Sequence, residues 1–111
     1  MQLTMLRRGY LPSGPVVPVP LARNAVMYVQ RGDGADGQRL FIFVNDRFIG
    51  TDWEDASPDG VSNARSVGTG QFAATYSQDN GPPVTVTFTL TDDGLQPSAV
   101  APGHCLPGRR C

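Results

Sequence analysis

Asp52-Trp53-Glu54-Asp55 sets three carboxylates beside the only tryptophan of the chain. Paired carboxylates can share acid–base work or hold a metal ion, and a loop tryptophan can anchor a ligand. Adjacent side chains diverge unless a turn gathers them, and the local sequence does not impose that turn. Asp52, Trp53, Glu54 and Asp55 therefore read as a solvated loop with a packed tryptophan, and as the first place to look for a binding loop. His104, Cys105 and Cys111 are the only soft ligands of the metal-binding kind. Structural zinc takes four ligands in short paired spacings, so no metal site is expected from these three. A lone histidine in a terminal tail would also have to serve any serine or cysteine nucleophile. No catalytic residue and no cofactor is assigned, and the chain is expected not to be an enzyme. In an oxidising compartment Cys105 and Cys111 would pair across residues 106–110. That loop is short, so its closure removes little chain entropy and pins the tail with a modest gain in stability. In the cytosol both would stay thiols.

Two glycine-rich stretches carry further motifs. Arg31-Gly32-Asp33 spells the tripeptide that integrins read, but glycine and aspartate are also what a turn requires, and a flexible turn over 31–37 is expected. Asp33 and Asp36 stand three apart with no glutamate following, which is not the calcium-loop pattern. Gly68-Thr69-Gly70 is a turn and not a dinucleotide fingerprint, because no helical pattern follows it.

The elements that must position these residues are strands. Val84–Thr91 alternates apolar residues and threonines without a slip. A strand points Val84, Val86, Phe88 and Leu90 to one face, and Thr85, Thr87, Thr89 and Thr91 to the other. Leu40, Phe41, Ile42, Phe43 and Val44 run apolar without a break, which implies a central strand covered on both faces. Strands are expected over 25–30, 38–45, 47–51, 64–67, 71–77, 84–91 and 95–100, the last confined to an edge by Pro97. Asn45-Asp46 is a tight-turn dipeptide, Asn80-Gly81 marks a longer hairpin loop, and Asp92-Asp93-Gly94 is a glycine-bulge turn. The 111 residues include 13 glycines and 10 prolines, which suits short strands and turns over long helices. A chain of this length buries about two thirds of its unfolded surface, enough for one small core. The expected fold is all-β: a small antiparallel meander forming a sandwich or partly open barrel over residues 25–100. It is preceded by an extended proline-rich arm (1–24) and followed by a C-terminal tail (101–111). Pro12, Pro15, Pro18 and Pro20 set that arm in extended geometry, as a partly ordered lead-in lying along its own domain or as an arm packed on a neighbouring subunit. Protein partners or self-association are expected through the arm and the threonine face.

Charge narrows the partners. The net charge is −1, all nine basic residues are arginine, and no basic excess is available for phosphate backbones, so nucleic acid is not expected. No apolar run approaches the ~20 residues of a membrane span. Residues 11–20 carry four prolines where a signal peptide needs an apolar run. The chain is therefore expected to be cytosolic, or a mature fragment behind an added methionine, or exported by another route.

From residue 38 to 95 the chain resembles the LppP/LprE family of actinobacterial lipoproteins. The resemblance rests on Leu40-Phe41-Ile42-Phe43 before a short turn, Phe48-Ile49-Gly50-Thr51, a polar loop and a Val67-Gly68 turn. It continues through a strand ending near Tyr76 and Val84-Thr85-Val86-Thr87-Phe88 leading to Asp93-Gly94-Leu95. These 111 residues contain no lipobox cysteine or signal peptide. Residues 77–83 stand where the family carries cysteines, and the proline arm replaces an upstream helical segment. The resemblance implies an extracytoplasmic cell-envelope domain, binding or scaffolding, and supplies no functional residues. It also favours the compartment in which Cys105 and Cys111 pair. The competing expectation is a structural protein of a virus particle or other assembly, its arm reaching a neighbouring subunit.

Overall fold

The computed structural model describes residues 2–104, and the expected Cys105–Cys111 bond lies outside them. The chain opens with a short helix, α1 (Gln2–Arg7). Eight strands follow: β1 (Leu11–Pro20), β2 (Val26–Gly34), β3 (Gly37–Val44), β4 (Arg47–Thr51), β5 (Val61–Gly68), β6 (Gln71–Tyr76), β7 (Val84–Thr91) and β8 (Gly94–Pro97). They form two four-stranded antiparallel meanders, ordered β1-β2-β3-β4 and β5-β6-β7-β8. The inner faces of the two sheets share one core, the arrangement of a β-sandwich, and neither sheet closes into a barrel. Among the described residues no helix is long and apolar enough to cross a membrane.

The alternation in the sequence sets these faces. β1 contributes Val19, β2 Met27 and Val29, and β3 Leu40 and Ile42; from the other sheet come Val61, Phe72, Ala74, Tyr76, Val86 and Phe88. Burying each large apolar side chain contributes roughly 1.5–3 kcal/mol, so this layer supplies most of the driving force. The uninterrupted apolar run of β3 is buried on both faces, as its composition requires. Leu40 and Ile42 enter the core, while Phe41 and Phe43 point out and meet Met5, Tyr10, Tyr28 and Phe48.

Residues 2–20 lie along their own domain, as a helix and a paired strand and not as an extended arm. α1 and Tyr10 lie over the outer face of the first sheet, and residues 11–20 pair with β2 from Leu11↔Asp33 to Pro20↔Val26. The extended geometry forced by the prolines is that of an edge strand. Pro18 and Pro20 sit in an edge strand, where a residue without an N–H is tolerated. The glycine-rich stretch also differs from a flexible turn. β2 runs on through Arg31-Gly32-Asp33 to Gly34, and only Ala35-Asp36 turn. A Cβ at Gly34 would strike the Tyr10 ring, and one at Gly32 would come within 3.0 Å of Met5, Phe41 and Tyr10. The two glycines make the flat seat on which the N-terminal segment packs.

The turns follow their residues. Asn45 and Asp46 both sit in the left-handed region, at φ 53° and 61°, and join β3 to β4 in a two-residue hairpin. Gly94, at φ 108°, closes the β7–β8 hairpin. β5 starts at Val61, three residues before the expected brief strand.

Candidate functional site

The loop after β4 folds inward. Asp52 continues the β3–β4 ladder, its N–H donating to the Leu40 carbonyl at 3.1 Å. The Leu40 N–H in turn donates to Asp52 Oδ1 at 3.2 Å. Asp52 Oδ2 accepts a 2.6 Å bond from the Tyr76 hydroxyl of the other sheet. Asp52 thus ties the two sheets at the end of β4. Burial pushes its carboxyl up to about 6, against the pull of the bonds from Tyr76 and Leu40. Burial likewise raises the Tyr76 phenol, and the neighbouring Asp52 carboxylate adds to the rise.

Trp53 is a core residue, 4% exposed, set edge-on to Tyr76 and Phe88. It offers no ring face to solvent. Its indole Nε1 is buried without a hydrogen-bond partner among the described residues. The His104 ring stacks on it at 5.1 Å and 12°, and His104 Nε2 shares a 2.9 Å hydrogen bond with Ser57 Oγ. Desolvation lowers the His104 pKa, with Asp55 pulling it up and Arg39 down. Glu54 and Asp55 stay exposed at the surface. The four-residue loop therefore divides: Trp53 enters the core, half-buried Asp52 bridges the sheets beside it, and Glu54 and Asp55 face water. Nor are residues 101–104 a loose tail, since Ala101 enters the core and His104 closes over Trp53.

A different place has the form of a site. β1 and β5 are the edges of their sheets and lie side by side along one seam of the sandwich. Both strands bulge there. In β1 the register passes from Ser13↔Arg31 to Val17↔Val29, so Gly14, Pro15 and Val16 stand opposite Gln30 alone. Gln30 Nε2 holds that bulge by donating to the Gly14 carbonyl at 3.3 Å. In β5 the register passes from Ser62↔Thr75 to Arg65↔Ala73, leaving Asn63 and Ala64 opposite Ala74. A bulge bends its strand and breaks the ladder locally. The two together open a cleft of about 220 Å³.

The cleft has an apolar wall of Pro15, Val17, Leu40 and Ala64 and a polar wall of Ser13, Arg31, Ser62 and Asn63. Arg31 is fixed in it. Its Nε and Nη2 both donate to Ser13 Oγ, at 3.1 and 2.6 Å, and Nη1 donates to the Val61 carbonyl at 3.4 Å. Asp33 lies 3.6 Å from Nε and offsets part of the charge. Gln38 braces the same end. Its Oε1 accepts from the Val61 N–H at 2.9 Å, and its Nε2 donates to Asp33 at 2.9 Å. Of these cleft residues only Arg31 stands out in the sequence, within Arg31-Gly32-Asp33, where the glycines point to a turn. Gly14-Pro15 inside an otherwise regular Val/Pro run was the available local sign, because glycine within a strand marks a bulge.

Comparison with protein-family models, with curated proteins and with solved structures finds no match for this chain.

Proposed function

We propose that this chain is a non-enzymatic binding domain of the extracytoplasmic cell envelope, with the seam cleft between β1 and β5 as its ligand site. The observation that carries the binding role is the guanidinium of Arg31, held by Ser13 and Val61 against an apolar wall. Among the described residues Arg31 is the one ionisable group lining the cleft, and a guanidinium offers hydrogen-bond donors only. It can orient an anion but cannot trade protons with it. Ser13 is engaged by Arg31, and no general base lines the cleft beside it or Ser62. Such a site holds a ligand without turning it over. The envelope location is supported by the resemblance over residues 38–95. This reading involves no cofactor and no nucleic acid.

Two measurements test it. Protease accessibility in spheroplasts expressing the native gene should place the domain outside the cytoplasmic membrane; full protection in intact spheroplasts would sink the location. A ligand-observed NMR screen of small molecules should return hits on the wild-type protein that Arg31→Gln no longer binds. Hits that ignore this substitution would sink the cleft as the site.

A second reading, a structural subunit of a virus particle or other assembly, draws on Leu3, Leu6 and Leu11, which are 59%, 50% and 66% exposed near Arg7 and Arg8. In this reading a second copy of the chain covers those leucines. Light scattering should then give an oligomer that Leu3→Ser with Leu6→Ser dissociates; a wild-type monomer at high concentration would exclude it.

A further inference from the structure

We propose that the seam cleft selects a monocarboxylate carrying a short aliphatic tail, an inference that rests on the reading of the cleft as a binding site. The donor inventory points to the head group. A guanidinium carries five N–H donors. Ser13 takes one from Nε and one from Nη2, and the Val61 carbonyl takes one from Nη1. One donor on each terminal nitrogen is left without a partner among the described residues. Two N–H groups of one guanidinium can bind both oxygens of a carboxylate, the fork arrangement that arginine uses best. The Arg31 side chain is one third exposed and lines the cleft.

The surroundings narrow the charge and the size. Asp33, 3.6 Å from Nε, already compensates part of the cation and disfavours a dianion such as phosphate. Arg65, whose Nη1 donates to the Asn63 carbonyl at 3.0 Å, keeps positive charge on β5 near the cleft rim. Val17, Leu40 and Ala64 provide the apolar wall for the tail. A volume of about 220 Å³ lies below the roughly 300–1,000 Å³ of ordinary ligand pockets, so the ligand must be short. A six- to eight-atom carboxylate fills such a space.

Anchoring is built in. Ser13 and Arg31 face each other at the last regular pair before the β1 bulge, and Gln30 pins the bulge from the other face of β2. The guanidinium is therefore oriented before any ligand arrives, which lowers the ordering cost of binding.

The test is titration of the ¹⁵N-labelled chain with sodium hexanoate, followed by amide shifts. Saturable shifts at Ser13, Arg31, Ser62 and Asn63 are expected. Affinity should rise from acetate through butyrate to hexanoate, and hexanol and inorganic phosphate should give no saturable shifts at those amides. Arg31→Gln should weaken hexanoate about ten- to a hundredfold, the loss expected for one charge-assisted pair. Ala64→Leu fills the apolar end and should abolish hexanoate binding while sparing acetate. It keeps Arg31 and so separates tail recognition from loss of the guanidinium. Each variant's amide spectrum away from the cleft serves as the folding control. Hexanoate shifts that are absent, independent of tail length or unchanged in Arg31→Gln overturn the proposal. If a non-carboxylate shifts the same amides and depends on Arg31, the carboxylate class fails and the cleft stands as a site. If no compound of a broad library shifts those amides, the cleft itself fails.

Discussion

The two sheets turn very different outer faces away from the shared core. The first sheet's outer face is aromatic: Phe41 and Phe43, with Tyr28 and Phe48 beside them. The second sheet's outer face carries Gln71, Ala73, Thr75, Thr85, Thr87 and Thr89, with Ala73 buried and Thr85 exposed. Among the described residues a further layer covers only the first. Met5 and Tyr10 pack onto it, Arg8 lies 4.5 Å over the Phe48 ring, and Arg39 lies 5.5 Å over that of Tyr10. An aromatic face left in water would be an association hazard, whereas threonine hydroxyls are satisfied by solvent and need no cover. The N-terminal segment is thus a third layer laid where composition demands one.

Deleting residues 2–20 tests that comparison most severely. The deletion removes β1, with Val17 and Val19 from the core, and uncovers Phe41 and Phe43 on the outside. The truncated chain should lose its cooperative thermal transition by circular dichroism. A domain that melts as sharply without these residues would return them to the status of an arm. The next effect down compares one phenylalanine from each layer. Phe43→Ala and Phe88→Ala each empty a site that is at most 1% exposed, and each should cost about 3–5 kcal/mol in urea unfolding. If Phe43→Ala costs under ~1 kcal/mol, the outer layer is decoration and not core.

The contrast also marks what could be read from the sequence. Leu40 to Val44 announced that both faces of β3 are covered, because only a doubly buried strand runs apolar without alternation. What covers the outer face was not legible. Met5 and Tyr10 stand in a segment too short and too rich in proline for a periodic signal, and their partners lie some thirty residues on. The prolines fixed an extended backbone, but pairing with β2 is a non-local choice that local propensity does not encode. Gly32 and Gly34 looked like turn residues, since a glycine cleared for a neighbouring ring has the same letter as one bent in a loop. Trp53 was visible as a packed ring, but whether Asp52 points in or out depends on Tyr76 being within reach. The seam cleft was the least legible feature, since it requires two bulges from different sheets to coincide.

Asp52 and His104 join the layers at the end of the sandwich and should respond to pH in opposite senses. The Asp52 pKa is higher folded than unfolded, so its contribution is full below about 4 and is lost as pH rises through about 6. The rise from 3.8 to about 6 corresponds to at most ~3 kcal/mol. Asp52→Asn can keep the bonds to Leu40 and Tyr76 without a charge. It should therefore be more stable than the wild type at pH 7.5, by up to ~3 kcal/mol, and equal to it near pH 4. His104 is held below its ordinary value, so its contribution is present above that value and lost as pH falls through the lowered one. His104→Phe keeps a ring on Trp53 and should flatten the acid side of the stability profile. Urea unfolding of both variants across pH 4–8 separates the two slopes; parallel profiles for wild type and Asp52→Asn would show that Asp52 is not the titrating group.

The smallest effect is expected on the uncovered face. Thr85 is exposed and Thr87 half-buried, and the one side-chain bond to this row within β6–β7 is from Gln71 Nε2 to Thr89 Oγ1 at 3.1 Å. Thr85→Arg and Thr87→Arg place long polar side chains on a wet surface whose backbone ladder is unchanged, so each should alter stability by less than ~0.5 kcal/mol. The same pair of variants asks whether the row is a contact surface. Two added arginines, repeated on a second copy, would meet across a symmetric contact and repel. If the threonine face associates with another copy, the double variant should shift the light-scattering mass downward with stability intact. If the mass does not move, the threonines are bare because nothing needs to cover them, and recognition is left to the seam where β1 and β5 part.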